Sequence, residues 1–253
     1  MPVSIHLAAW DVNHRGSRKP LPPETLDAIA ALGPDILVLT EFVDAPHHAE
    51  FKQGLKALGL TSLAVSLGGP HQNQVLIAAR AAMADDDLMP SPGYTEAATT
   101  NWLHRRFPKL GIEVVGLRAP TYLRAPERVG YWGQVERIAR GARDRPAVFI
   151  GDFSSDPYHE PRSFVSSFLR LRSEGFHWPR PAGEWSYRHQ DTGATTRVDH
   201  AFACPGLQLT DARYLYKAGR HSLAGPANGA GPPLSDHAAL SIRVRLPDRP
   251  VAL

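Results

Sequence analysis

The sequence predicts a mixed α/β domain in which strands outnumber helices. Three observations carry that expectation. Short, almost continuous apolar runs recur along the chain, the pattern of strands covered on both faces. Amphipathic helical stretches lie between some of them. The late segments are mostly strands, which argues against a purely alternating, doubly wound sheet.

The elements follow in order. The first apolar run, 3–12, carries Ile5, Leu7, Ala8, Ala9 and Trp10. Pro23 and Glu24 open a helix toward Leu32, with proline where an N–H is dispensable and an acid where the helix dipole favours one. Strands are expected at 35–39, 61–66 and 74–79, with a helix over 46–58 between the first two. Strands at 111–117 and 147–150 flank a helix over 127–143, in which Val135, Ile138 and Ala139 form one stripe. A fourth helix covers 161–174, with Phe164, Phe168 and Leu171 at i, i+4 and i+7. Strands at 198–204 and 238–246 complete the series. Gly and Pro are scattered as punctuation except in 219–234, which reads as a surface loop between two strands. No repeat or linker divides the chain, so 1–253 is expected to be one domain.

Composition narrows the class. The 253 residues are 43% hydrophobic and 21% charged, which supplies a core and excludes wholesale disorder. No apolar run reaches the roughly 18 residues that span a bilayer. The first residues lack the basic segment of a signal peptide. The single cysteine, Cys204, excludes an internal disulfide framework and is expected to be a small buried apolar residue. These features favour a cytoplasmic protein. The formal charge of +3 identifies no partner. Lysine stands only at Lys19, Lys52, Lys56, Lys109 and Lys217, so arginine dominates the basic residues, as it does in chains biased toward Ala, Gly and Pro.

Polar residues at strand ends carry the chemistry. A strand end fixes the backbone while the following loop exposes the side chain. Asp11 and Asn13 end the first strand, in Trp10-Asp11-Val12-Asn13, and Glu41 ends the second, in Leu39-Thr40-Glu41. Asp152 ends another, in Gly151-Asp152-Phe153-Ser154. Asp199 falls within Arg197-Val198-Asp199, and Ser235-Asp236-His237 precedes the last strand. Any one of these acids also fits a helix cap or a turn. If the ends converge, they form an oxygen-rich site suited to Mg²⁺ or Mn²⁺. No second histidine stands in ligand spacing for zinc.

That ordered series resembles the endonuclease/exonuclease/phosphatase superfamily, the DNase I-like phosphohydrolases, over about residues 5–245. The resemblance implies a four-layer α/β/β/α sandwich with two mixed β-sheets face to face, and metal-dependent cleavage of a phosphoester. It implies Glu41 as main metal ligand with Asp11 or Asn13 nearby, and Asp236 binding metal or positioning the site. It implies Asp152 orienting or deprotonating the attacking water, and His237 on the scissile phosphate with Asp199 holding its other ring nitrogen. The expected activity is that of a nuclease acting on nucleic acid or another phosphodiester, as a monomer with no membrane partner. The alternatives are a phosphatase or phospholipid phosphodiesterase on the same fold, or a binding protein that has lost catalysis.

Three positions depart from the family pattern. Asp11 and Ser154 stand where asparagines are usual, and Arg118 stands at a strand end that generally carries His or Tyr. Arg118 offers a guanidinium fork to phosphate, and Ser154 a hydroxyl donor. Trp185 and Tyr187, just before Arg197, are expected to face substrate, and Arg15 follows the first motif in a loop. Tyr122, Trp132 and Trp178 read as packing. His104-Arg105-Arg106 with Lys109 reads as a solvated hairpin tip, and His47-His48 as surface.

Overall fold

The apolar runs pair into two mixed sheets in a computed structural model of the protein, which describes residues 4–13, 20–69, 71–93, 99–121, 124–157, 163–225 and 232–246. In chain order the main elements are β1 (Ser4–Asp11), α1 (Glu24–Leu32), β2 (Ile36–Phe42), α2 (Ala49–Ala57), β3 (Ser62–Val65), β4 (Gln74–Ala79), β5 (Trp102–Phe107), β6 (Ile112–Arg118), α3 (Ala125–Gly141), β7 (Ala147–Asp152) and α4 (Ser163–Ser173). The short strands β8 (Tyr187–Arg188) and β9 (Thr195–Thr196) follow. Then come β10 (Asp199–Ala203), β11 (Gln208–Leu215), the small hairpin β12 (Lys217–Ala218) and β13 (His221–Ser222), and β14 (Ala239–Arg245).

One sheet has the order β11-β14-β1-β2-β4-β3 and the other β10-β7-β6-β5. Each contains one parallel pair, β1 with β2 and β6 with β7, and antiparallel pairs elsewhere. Three apolar layers hold four structural layers together. Leu7, Val38, Ile77, Val114, Ile150 and Leu240 fill the space between the sheets. Trp132, Phe149, Phe168 and Phe202 join α3 and α4 to the outside of the smaller sheet. Ile29, Phe51 and Leu55 join α1 and α2 to Trp10, Leu37 and Leu39 on the outside of the larger one. The alternation in β1 and β2 decides which residue meets which layer. The expected mixed four-layer sandwich is therefore what forms. No described helix is long and apolar enough to cross a membrane.

Four expectations change. The segment His104-Arg105-Arg106 lies within β5, not at a hairpin tip. His104 is buried, with Nε2 2.9 Å from Glu113 Oε2 and Nδ1 accepting from the Met89 N–H at 2.8 Å. His48 is also buried, its Nδ1 2.6 Å from Val43 O, because the chain before α2 begins with a 3₁₀ turn at Pro46–His48 that turns the ring inward. The edge strand β11 was not expected, since its burial alternates rather than running continuously. Finally, 219–234 is not simply a surface loop. Leu223 and Ala224 are buried, and Ser235 N–H bonds Leu223 O at 2.8 Å. Cys204, Trp132 and Trp178 pack in the α3/α4 layer as expected.

Candidate active site

The strand directions put the acidic motifs at one edge of the sandwich. β1 and β2 run parallel, so Asp11 and Glu41 finish side by side, with Asp11 opposite Thr40 in the register. β14 runs against β1, which brings His237, just before its start, to the same edge. In the other sheet Asp152 lies opposite both Arg118, ending β6, and Asp199, starting β10. The two groups meet across a cleft of about 340 Å³ lined by Glu41, Arg118, Asp152, Ser154, Asp236 and His237, with Asn13 and Tyr187 also on its wall.

Local backbone chemistry aims these side chains. Glu41 has φ +54° and sits where the β2–β4 register shifts between Leu39 and Phe42, so the bulge turns its carboxylate out of the pleat. Asn13 and Ser154 also have positive φ, at 57° and 49°. Such conformations are uncommon away from glycine and concentrate at functional sites. Gly151 has φ +144°, and a Cβ there would lie 2.0 Å from Leu117 O. Only glycine lets β7 approach β6 just before Asp152.

Asp199 and His237 form a buried pair. His237 Nδ1 is 2.9 Å from Asp199 Oδ2. The Asp199 backbone is held by Ser186 Oγ, which accepts its N–H at 3.0 Å, and by Tyr214, whose hydroxyl donates to its carbonyl at 2.8 Å. The His237 N–H donates to Ser235 Oγ at 3.0 Å, and its carbonyl accepts from Trp10 Nε1–H at 2.9 Å. The Tyr187 ring stands 4.9 Å from the imidazole, centre to centre.

The two deepest carboxylates lie next to this pair. Asp11 accepts the Asn13 N–H at 2.7 Å and the Thr40 hydroxyl at 2.9 Å. Asp152 accepts the Ser154 N–H at 2.7 Å. Ser154 Oγ lies 2.8 Å from Ala119 O and 3.3 Å from Asp152 Oδ2, so its hydroxyl is turned onto the protein. Burial pushes the carboxyls of Asp11 and Asp152 up to about 6, against the pull of charged His237 and Arg118. Burial opposes charge on His237, but Asp199, Asp11 and Asp152 outweigh it and raise the imidazole well above its ordinary value.

Arg118 reaches into the middle of the cleft. Its Nη2 is ion-paired with Glu41 Oε1. Its Nε lies 3.7 Å from Asp152 Oδ2 and 3.9 Å from Asp11 Oδ2, and this buried N–H makes no hydrogen bond among the described residues.

Asp11, Asp152 and His237 each bring a ligand-type atom within 4.8 Å of the other two. Two buried carboxylates whose charge is disfavoured, with Glu41 and Asp236 on the same cleft, are a hard-oxygen donor set that fits a Mg²⁺- or Mn²⁺-like cation.

The strand-end residues expected from the sequence thus assemble, Asp11, Asn13, Glu41, Arg118, Asp152, Ser154, Asp199, Asp236 and His237 among them, with Tyr187 on the wall. Trp185 is placed elsewhere: its ring packs 4.6 Å from that of Tyr216 and against the core between the sheets, not on the cleft. Arg15 lies outside the described residues. The structure adds Thr40, Ser186 and Ser235, which position the acids and the histidine. All three stand inside or beside the quoted motifs, and their hydroxyls were the available signal. Asp156 also lines the cleft and accepts the Arg197 N–H at 3.1 Å, with no motif to announce it.

Comparison with known proteins places this geometry. The sequence matches the endonuclease/exonuclease/phosphatase family over residues 8–237. No curated protein matches the sequence. Among solved structures, a 3′ phosphatase, NExo, from Neisseria bound to product DNA hairpin superposes with TM-score 0.71 at 18% identity, covering 94% of this chain and 98% of that one. An AP endonuclease from Archaeoglobus fulgidus gives 0.70 at 15% identity over 94% and 98%. An endonuclease/exonuclease/phosphatase from Beutenbergia cavernae gives 0.67 at 19% identity over 98% and 73%. At these identities the likeness is one of fold.

Proposed function

Because the chain belongs to the endonuclease/exonuclease/phosphatase family, we propose that it is a divalent-metal-dependent phosphodiesterase and that its substrate is nucleic acid. The observation that supports this most is the Asp199–His237 pair standing beside Asp152 in a carboxylate-lined cleft. Glu41, Asp11, Asn13 and Asp236 would hold Mg²⁺ or Mn²⁺, which supplies charge to stabilise the phosphoryl oxygens.

The remaining steps belong to the protein's own groups. Asp199 accepts a hydrogen bond from Nδ1–H of His237 and fixes the ring, leaving Nε2–H to donate to a non-bridging phosphate oxygen. Asp152 orients the attacking water and takes its proton, with Ser154 steadying the carboxylate through its N–H. The water oxygen bonds to phosphorus as the bond from phosphorus to the leaving oxygen breaks, and the leaving oxygen takes a proton from solvent to depart as an alcohol. Tyr187, beside His237, offers a ring on which a sugar or base can stack.

The test is a panel of single- and double-stranded DNA, RNA and a generic phosphodiester dye, each with Mg²⁺, Mn²⁺ or EDTA. Hydrolysis of at least one nucleic acid, lost in EDTA and lost in Glu41→Gln with the fold intact, is the expected result. Activity unchanged by EDTA overturns the metal-dependent reading.

A further inference from the structure

Arg118 occupies a position that its own chemistry makes unusual. A guanidinium normally satisfies its N–H groups one by one against acceptors. Here one Nη2 is committed to Glu41, while the buried Nε sits 3.7 Å and 3.9 Å from oxygens of Asp152 and Asp11 without a hydrogen bond. The group is therefore near three carboxylates at once and optimally bonded to only one. That is the arrangement of a positive charge placed for its field. Burial works against its charge, yet Glu41, Asp152 and Asp11 together raise its pKa.

The position also bears on metal binding. A divalent ion on Glu41 and Asp11 would stand beside a fixed positive charge, which repels it in a cleft where water screens little. Glu41 Oε1, one of the two oxygens that side chain could offer an ion, already pairs with Nη2. Resting on that proposed metal site, we propose that Arg118 is a tethered cation: it neutralises the carboxylate cluster in the metal-free protein, and it must leave Glu41 for a divalent ion to bind. Metal affinity is then set by competition within the chain. The arginine released by metal is free to turn toward a phosphate, which it can grip with two N–H groups.

Mn²⁺ binding, read from the paramagnetic resonance of the free ion, tests this in wild type, Arg118→Ala and Arg118→Lys. Arg118→Ala should bind Mn²⁺ at least tenfold more tightly than wild type, with Arg118→Lys between them. In EDTA, Arg118→Ala should melt below wild type, and saturating Mn²⁺ should close that gap. A purely structural arginine would lower the melting temperature and leave Mn²⁺ affinity alone. Equal or weaker affinity in Arg118→Ala overturns the inference while leaving metal-dependent hydrolysis standing. No Mn²⁺ binding by any of the three proteins overturns both. The wild-type protein supplies a second readout that needs no variant. The Nε–H resonance of Arg118 should move as Mg²⁺ is added, and a resonance that stays in place through saturation contradicts release.

Discussion

Asp199 accepts from one ring nitrogen of His237 while Ser186 and Tyr214 lock its backbone, so removing its charge leaves the imidazole present but free to turn. Asp199→Asn should lower kcat on the order of 10²-fold or more with little change in KM. Steady-state kinetics of Asp199→Asn, His237→Ala and the double variant should show strong non-additivity, and independent effects would separate the two residues. Asp11 predicts a different signature. Its folded carboxyl titrates at about 6 against an ordinary value of 3.8. The fold therefore holds this proton more firmly than the unfolded chain does. The associated stability is fully present below the ordinary value and is lost as pH rises through about 6. Asp11→Asn removes the charge, so thermal melts in EDTA should rise at pH 7.5 and rise less at pH 5. The sequence made the acids visible because each closes an apolar run. It could not show Arg118 ion-paired with Glu41, since that pairing arises only when β2 and β6 stack from opposite sheets.

Two glycines separate space from necessity at the scale of the element. Gly151 holds a backbone angle that side chains rarely adopt, and a Cβ on it would clash with the Leu117 carbonyl. Gly151→Ala should cost roughly 3 kcal/mol or more in chemical denaturation, because neither strand can retreat without breaking the β6–β7 register. Gly133 lies in α3, and a Cβ there meets nothing within 4 Å. Gly133→Ala should stabilise by about 0.5–1 kcal/mol. The strands that sequence reading recovers most directly are those buried on both faces. β4 and β7 are apolar at nearly every position. The two edge strands missed, β5 and β11, hide behind polar residues. In β5 the histidine is accommodated by Glu113 from β6, a partner nine residues away that periodicity does not register. In β11 exposed and buried positions alternate around a bulge at Thr210–Arg213.

The charged cluster around Glu113 acts on the molecule as a whole. Glu113 takes His104 from β5 and the Arg145 guanidinium from the turn before β7, so three segments of the smaller sheet depend on it. Burial pushes His104 down to about 4, and contact with Glu113 only partly offsets that. The unfolded chain takes up this proton near pH 6.5, whereas the fold resists it until about 4. Stability therefore falls as pH drops through that window, by about 2 kcal/mol between pH 7.5 and 5. Urea unfolding should show a flatter acid slope in His104→Gln than in wild type, a comparison in which the oppositely signed cleft carboxyls cancel. The four-layer arrangement and the convergence of five motifs were legible from residue order. The network at Glu113 was not, because its charges read individually as solvated surface.

The place of β14 has a consequence for how the protein is made. This strand lies between β1 and β11, bonded to both, and His237 sits on the approach to it. A nascent chain that has cleared the ribosome only as far as Ser235 has no strand to join β11 to β1 and no histidine for Asp199 to hold. Sheet closure and the full set of acid–base groups then arrive in the same short stretch of translation. A partly synthesised copy would therefore lack the closed sheet and the Asp199–His237 pair together.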